Sequence, residues 1–355
     1  MNPSRSPARR VAWIGVWLLV TVWPAAAWAR DGCQDGFTGR PIVNLRIDND
    51  MFGGGDQDQG YSNGLQLTLV SPNLVDYTDD PCLPALARRL NRYLDVLFDG
   101  ASEQQNMVVS VGQALYTPTD LAPVELIEDD RPYAAALMVG LGYNARHGEH
   151  LRTSLLRVGV VGPAAGGKQV QNEWHRFIGT ERFRGWDNQL DNEPVFQLVH
   201  ERMRRWSGSG RDDRWGWDAI GHAGGSIGNF ATHANTGVEL RLGRRLPDDF
   251  GSTPLRPAGE NTAPRVSFDR SGRWAGHLFL TSDVRWVVRD ITLDGNTFSS
   301  SHSVDKRSFV GEIGYGMAVT RGRWKFAFAR YHRSREFEGQ LESPEFGSFT
   351  VSRQL

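Results

Sequence analysis

The segment 162–190 holds the residues whose types and spacing most clearly suggest catalysis. If it is helical, Gln171 and His175 lie one turn apart on one face, which continues to Ile178. A neutral imidazole is the natural general base near pH 7, and a glutamine one turn away could orient a water or bind a substrate. The neighbouring helical face is apolar and carries Val170, Trp174 and Phe177. The spacing predicts a short helix that holds a base beside an apolar surface; the alternative is a surface helix with a solvated or hydrogen-bonded histidine.

Oxygen-bearing side chains form further candidate groups. Asn49 and Asp50 close a predicted strand, and Ser62 opens the next one. Glu181 follows His175 by six residues. Amide and carboxylate oxygens are ligands that calcium takes, so Asn49, Asp50 and Glu181 are candidate metal ligands. Asn and Asp are also ordinary turn formers, so any one of these groups taken alone is explained by a turn.

Alternation with a period of two dominates the chain after Pro41 and predicts the elements that must position these residues. Val238, Leu240 and Leu242, for example, alternate with charged side chains. Charges on one face and large apolar groups on the other are typical of an outer-membrane barrel, whose sheet must close because lipid cannot satisfy backbone hydrogen bonds. A soluble β-sandwich, which gives the same alternation with the two faces reversed, is the alternative, but it would not need Arg241, Arg285 and Glu312 packed between long apolar neighbours.

Twelve strands are predicted, so the fold class is all-β: a twelve-stranded antiparallel transmembrane β-barrel with a short helix in a long extracellular loop. The predicted strands are roughly 42–51, 60–70, 106–115, 133–145, 151–161, 194–206, 213–228, 235–243, 274–291, 307–320, 323–334 and 346–354. An even number places both termini on the periplasmic side. Connections after odd strands then face outward: 51–59, 116–132, 162–190 and 292–306. The candidate groups above lie in these connections or at the strand ends that border them.

The N-terminus predicts export. Basic residues precede an apolar run that ends in Ala27-Trp28-Ala29, so residues 1–29 read as a signal peptide and 30–355 as the barrel domain. A membrane-anchoring helix is the alternative. Cys33 and Cys82 fall on the same predicted side of an exported chain, and we expect a disulfide between them. The formal net charge of −1 gives no sign of nucleic-acid binding.

Three other segments carry weaker signals. Residues 83–98 have leucines on one helical side and predict a periplasmic cap or plug. Residues 246–269 are rich in Gly, Pro and Ser without periodicity, which predicts a mobile linker. The chain ends at Leu355, whereas outer-membrane barrels usually end in an aromatic residue.

Five short motifs resemble the lipid A 3′-O-deacylase family (LpxR). They are D-N-D-x-F at 48–52, Y-S-N-G at 61–64, Y-T-P-x-D at 116–120, D-D-R-P-Y-A at 129–134 and the long block G-x-x-G-P-x-A-G-G-x-x-V-Q-N-x-x-H-R-x-I-G-x-E at 159–181. These blocks follow the family order and lie within 42–193, whereas the remaining chain shows only barrel-like alternation.

The resemblance implies an outer-membrane enzyme that hydrolyses the ester of the 3′ acyloxyacyl chain of lipid A with calcium as cofactor. Its substrate would be lipid A or lipopolysaccharide in the outer leaflet, and a monomer is expected. Carried over residue by residue, the family's functional positions fall on Asn49, Asp50, Ser62, Gln171, His175 and Glu181. Ser62 stands where the family has threonine, which keeps the hydroxyl.

One departure from the family pattern concerns the oxyanion. The family's catalytic lysine has no counterpart, because residues 117–128 contain no lysine or arginine. Oxyanion stabilisation would then come from calcium, a backbone amide or Arg131. A phospholipase or other acyl-ester hydrolase on the same barrel, and a non-catalytic barrel such as a small channel, are the alternative functions.

Overall fold

The computed structural model is a closed antiparallel barrel of twelve strands in which each strand pairs with the next and β1 closes on β12. The structure describes residues 41–53, 60–74, 78, 85, 88–89, 91–92, 102–179, 181–208, 215–251 and 273–355. The predicted signal peptide and the predicted Cys33–Cys82 disulfide lie outside the described residues. Among the described residues, no helix is long and apolar enough to cross a membrane.

All twelve predicted strands are confirmed, with small shifts at their ends. The strands are β1 Ile42–Asn49, β2 Gly60–Val70, β3 Gln104–Thr117, β4 Ala134–His147, β5 His150–Val161, β6 Glu193–Ser207, β7 Trp215–Ile227, β8 Ala231–Arg244, β9 Trp274–Asp290, β10 Phe309–Arg321, β11 Trp324–Arg333 and β12 Glu345–Gln354. Within the described residues, two α-helices in connections between strands have both ends described, α1 at Gly167–Ile178 and α2 at Ile291–Asp294. The predicted helix at 83–98 lies mostly outside the described residues, and its five described members are helical.

The two faces of the sheet have the polarity of a membrane barrel. Along β8, Leu240 and Leu242 are 48% and 53% exposed, whereas Glu239 and Arg241, which alternate with them, are at most 1% exposed. The same inversion recurs around the barrel, with outward apolar side chains that include Leu65, Val139, Phe196, Leu278, Val284, Ile313 and Met317. Charged groups therefore fill the lumen, and the sandwich alternative is wrong because its apolar face would be the buried one.

Antiparallel closure gathers the connections at two rims. The connections after odd-numbered strands form what we call the site rim, and their described residues are 50–53, 118–133, 162–179, 181–192, 228–230, 291–308 and 334–344. The connections after even-numbered strands form the opposite rim together with both ends of the barrel chain, and their described residues are 71–74, 78, 85, 88–89, 91–92, 102–103, 148–149, 208, 245–251, 273 and 322–323. The candidate residues therefore share one end of the barrel, although more than a hundred residues of chain separate some of them.

The first residues after β8 fold into the lumen at the opposite rim. Asp249 is 1% exposed and pairs with Arg241 at 2.5 Å and with Lys325 at 3.0 Å. Phe250 is also 1% exposed and packs with Leu151, Met203 and Ile220. The prediction of a mobile linker is therefore wrong for 246–251, because its two aspartates meet arginines that point into the barrel. We call this segment the lumen plug.

Candidate active site

The end of β1 and the start of β2 form the first half of the candidate site. Asn49 Nδ2 donates to the carbonyl oxygen of Ser62 at 3.0 Å, which ties the two strands together. The amide of Met51 donates to Asn49 Oδ1 at 3.2 Å and to Asp50 Oδ1 at 2.9 Å. These bonds hold the 3₁₀ turn Asp50–Gly53 against the barrel end. Asn49 and Asp50 are 3% and 1% exposed, so the sequence DND is more than a solvated turn.

A β-bulge at Ser62 sets the direction in which the Ser62 side chain points. Tyr61 pairs with Tyr116 and Asn63 pairs with Leu115, so Ser62 is an extra residue between two pairs. The Ser62 hydroxyl donates to the carbonyl oxygen of Leu115 at 3.3 Å and is 1% exposed. Bulges of this kind re-aim a side chain at the end of a strand, which accounts for the hydroxyl residue at this position.

Tyr61, Asp48 and Gly64 form a buried unit that the sequence reasoning did not assign a role. The Tyr61 hydroxyl donates to Asp48 Oδ2 at 2.7 Å, and Arg46 Nε lies 3.0 Å from the same oxygen. Gly64 lies directly below the phenol, since a Cβ there would be 1.8 Å from the Tyr61 hydroxyl oxygen. The motif Y-S-N-G therefore ends in glycine because the tyrosine passes over it.

Gly64→Ala is expected to displace the Tyr61 ring and break its bond to Asp48, which should lower the free energy of unfolding by about 1–3 kcal/mol. Gly112→Ala on the neighbouring strand β3 is the matched control, because its added Cβ would meet no atom closer than 3.4 Å. Thermal unfolding of both variants in detergent checks this expectation. Equal melting temperatures for the two variants would contradict it.

The second half of the site is the long connection between β5 and β6, which contains α1. Glycines in the left-handed region flank the helix, Gly166 with φ 75° and Gly179 with φ 78°. Gln171 and His175 lie on the face turned to the barrel and are each 2% exposed. The predicted helix is confirmed, and a solvated His175 is excluded. The side chain of Phe177, predicted on the apolar face, lies outside the described side chains.

The ring orientation of His175 is set by the chain just beyond α1. Nδ1 contacts the carbonyl oxygen of Glu181. A carbonyl oxygen only accepts, so in the neutral ring Nδ1 carries the proton and Nε2 carries the lone pair. Glu181 thus acts here through its main chain, and its own side chain is exposed. A role for the Glu181 carboxylate in binding calcium stays a prediction.

An aromatic wall, not foreseen from the sequence, holds this face of α1 in place. Trp186 is fully buried, and its Nε1 donates to Gln171 Oε1 at 2.7 Å. Tyr133 packs against Trp186 with ring centroids 5.1 Å apart, and Phe183 meets the His175 ring at 5.7 Å. These contacts fix Gln171 and His175 relative to the barrel. No spacing rule links Trp186 to Gln171, so only the folded loop reveals this bond.

Leu115 connects the two halves of the site. Its carbonyl oxygen accepts from the Ser62 hydroxyl, while its side chain packs in one buried cluster with Ala165 and Trp186. A Cβ at Gly167, the first residue of α1, would lie 3.0 Å from Leu115 Cδ2. The start of the helix therefore lies directly on β3, whose Leu115 carbonyl oxygen accepts the hydrogen bond from Ser62. This contact chain runs from Asn49 through Ser62 and Leu115 to Trp186 and Gln171.

Arg131, which the sequence offered as an oxyanion donor, is tied into the site rim. Its guanidinium donates to Glu336 at 3.0 Å and to Thr292 at 2.8 Å, and it lies over the Tyr116 ring at 4.9 Å. Burial alone would raise the pKa of Glu336, but the guanidiniums of Arg333 and Arg131 hold it below its usual range. Arg131 therefore joins its own connection of the site rim to two others, to which Nη1 and Nη2 of its guanidinium donate.

The donor atoms at the end of β1 suit calcium in kind. Asn49 and Asp50 supply amide and carboxylate oxygens, and calcium also takes backbone carbonyls and water. Within the described ranges, no group of three or more His, Cys, Asp or Glu side chains is placed to hold a metal ion. An ion here would thus rest on one buried carboxylate, the Asn49 amide oxygen and main-chain oxygens.

Comparison with known proteins decides the family. The family model described as "Outer membrane protein LpxR" matches residues 14–355 of the chain. The chain belongs to the LpxR family. Membership supports an outer-membrane lipid A deacylase and places this LpxR-family barrel in the bacterial outer membrane.

One solved structure shares the fold of this LpxR-family barrel. LpxR from Salmonella typhimurium superposes with a TM-score of 0.69 at 17% sequence identity, covering 88% of this chain and 100% of that chain. The β domain of the Bordetella autotransporter BrkA gives 0.42 at 10% identity, covering 89% of this chain and 99% of that one. No curated protein matches the sequence significantly.

Proposed function

We propose that the protein deacylates lipid A by hydrolysing the ester that holds the 3′ acyloxyacyl chain. The observation that carries this proposal is the buried His175, whose Nδ1 bond to the Glu181 carbonyl presents Nε2 as a base. It lies on the rim where Asn49, Asp50 and Ser62 meet. Family membership supplies the substrate class, and the proposal is supported by a buried histidine at the same end of the barrel as these oxygen donors.

His175 would begin the reaction by accepting a proton from water at Nε2. The hydroxide equivalent adds to the ester carbonyl carbon and forms a tetrahedral intermediate. Collapse of the intermediate breaks the bond to the sugar oxygen, and the imidazolium returns its proton to that oxygen. The products are a free acyloxyacyl acid and a sugar hydroxyl, and His175 is neutral again.

Gln171 would position the attacking water or the ester. Its Oε1 is held by Trp186, so the amide Nε2 is oriented as a donor. Asn49 and Asp50 would hold calcium, which when bound polarises the ester carbonyl. In the same proposal, Ser62 keeps the bulge at the start of β2 and so fixes the position of Asn49.

Apolar side chains around the site suit a lipid substrate. Met51 is 46% exposed directly after Asp50, and Val124 and Leu126 of the adjoining connection are each 43% exposed. The Val124 carbonyl is bound by Asn188, close to Trp186 in sequence, so this connection borders the α1 loop. Fatty acyl chains are the ligands that such a patch on a membrane protein would contact.

A substrate comparison tests the proposal against the phospholipase alternative. Purified protein in detergent is offered lipid A and phosphatidylethanolamine at equal concentration with calcium, and released fatty acids are identified. We expect release of an acyloxyacyl acid from lipid A at a rate at least about tenfold above any release from phosphatidylethanolamine. Faster release from phosphatidylethanolamine would favour a phospholipase, and no release from either would favour a non-catalytic barrel.

The lumen plug argues against a channel. Asp249 lies between Arg241 and Lys325. Burial alone would raise the pKa of Asp249, but the two cations outweigh burial and lower it.

We expect the native protein to be electrically silent in planar bilayers. Asp249→Asn removes the carboxylate that pairs with Lys325 and one of the two carboxylates that pair with Arg241, the other being Asp218, and should release the plug, giving measurable conductance. Glu338→Gln, an exposed carboxylate at the site rim, is the control and should stay silent. Steady conductance by the native protein would contradict the plug assignment.

A further inference from the structure

The opposite rim carries a belt of tryptophans and arginines on its outer surface. Trp274 and Trp215 are 60% and 69% exposed, and Trp206, Trp217 and Trp324 are at least 40% exposed. All five lie within a few residues of that rim, at the end of β6 or the start of β7, β9 or β11. Tryptophan concentrates where a barrel crosses the lipid–water boundary.

Guanidinium groups stack on these indoles. Arg204 lies over Trp206 at 5.2 Å, Arg321 over Trp274 at 4.9 Å and Arg353 over Trp324 at 5.0 Å. The last two pairs are direct cross-strand partners, which fixes each arginine beside its tryptophan. A stacked guanidinium keeps its planar edge of donors directed away from the ring, the geometry that binds phosphate oxygens.

Charge is distributed unequally between the two rims. On the opposite rim, Arg202, Arg204, Arg244, Arg321, Arg323 and Arg353 are exposed, and the one exposed Asp or Glu side chain within the described residues there is Glu103. The described part of the site rim exposes more acidic than basic side chains, with acids such as Glu125, Glu128 and Asp129. A basic belt with indoles at lipid level complements the phosphates of lipid head groups.

We propose that this belt, which we call the Arg–Trp girdle, binds the phosphates of anionic glycerophospholipids in the leaflet on the side of the opposite rim. Each stacked arginine holds a phosphate oxygen while its tryptophan lies at the level of the glycerol backbone. The girdle thereby orients the barrel so that the site rim meets the other leaflet. This inference concerns binding and is independent of any hydrolysis.

Removal of the three stacked charges tests the girdle. The full-length protein in detergent is titrated with phosphatidylglycerol or phosphatidylcholine, and bound lipids are counted by native mass spectrometry. We expect the native protein to prefer phosphatidylglycerol on the order of tenfold, and the triple variant Arg204→Gln, Arg321→Gln, Arg353→Gln to lose most of that preference. The matched control Arg176→Gln, Arg182→Gln, Arg184→Gln removes three exposed arginines from the site rim and should keep it.

A charge-preserving variant covers the case in which the glutamine triple does not fold. Arg204→Lys, Arg321→Lys, Arg353→Lys keeps each charge but removes the planar fork, so it should show an intermediate preference. Equal preference in the native protein and in either girdle variant would overturn the proposal. It would also be overturned by equal loss in the site-rim control. A third titration with lipopolysaccharide would overturn it if the native protein binds lipopolysaccharide in preference to phosphatidylglycerol and the glutamine triple variant loses that preference.

Discussion

Replacing His175 with alanine is expected to lower the rate of ester hydrolysis by about 10²–10⁴-fold, the usual contribution of a general base. The imidazole Nε2 is the basic atom of this buried ring, because Nδ1 is committed to the Glu181 carbonyl. The measurement is the rate of fatty-acid release by purified protein in detergent. The barrel should stay folded, since His175 lies in a connection outside the strand pairing.

The control for this variant is His150→Ala. His150 is exposed at the opposite rim, so its removal should leave the rate within about twofold of native, as expected for a surface substitution far from the site. Melting temperatures of both variants separate lost chemistry from lost folding. A His175→Ala protein that keeps native activity, whatever its stability, would show that His175 is not the general base.

Asp50→Asn carries the second large expected effect. The substitution keeps an oxygen that can accept from the Met51 amide but removes the charge that would bind calcium. We expect activity to fall by about 10²–10³-fold, the size of effect seen when one electrostatic contact to a developing oxyanion is lost. A readout independent of activity is the calcium-dependent rise in melting temperature, since saturating ligand stabilises a folded protein by about 2.7 kcal/mol at a hundred times its Kd.

The matched control is Asp129→Asn, an exposed acid on the neighbouring connection of the same rim. It should keep both the activity and the calcium-dependent rise in melting temperature. If calcium raises the melting temperature of Asp50→Asn as much as that of the native protein, Asp50 is not a calcium ligand. If calcium leaves the native melting temperature unchanged, calcium binding at this site is wrong.

The strands could be predicted because each one has lipid on its outer face and a charged lumen on its inner face. This arrangement makes apolar and polar side chains alternate at nearly every position. Glu239 and Arg241, which alternate with exposed apolar side chains, show it most clearly. Strand ends moved by a few residues, since pairing with a neighbour sets them more than the local pattern does. The number of strands alone was enough to predict that the candidate residues lie at one rim, because all connections after odd-numbered strands lie at the same end of the barrel.

Local sequence patterns could not predict the contacts that hold the site in place. The bond from Trp186 to Gln171 and the bond from Tyr61 to Asp48 depend on how loops and strands meet in space. The bulge at Ser62 is a difference of one residue in register, which alternation does not reveal. The lumen plug looked like a loose linker because its aspartates find their cations only inside the closed barrel.

The mass spectrum of lipid A tests the proposed reaction most directly. Cells that lack any lipid A 3′-deacylase are made to express the native protein or His175→Ala, and their lipid A is compared. The proposal predicts that native protein removes the mass of one acyloxyacyl group, assigned to the 3′ position by fragmentation, and that the variant leaves lipid A intact. Unchanged lipid A in cells with correctly folded native protein in the outer membrane, or identical loss with the variant, would contradict it.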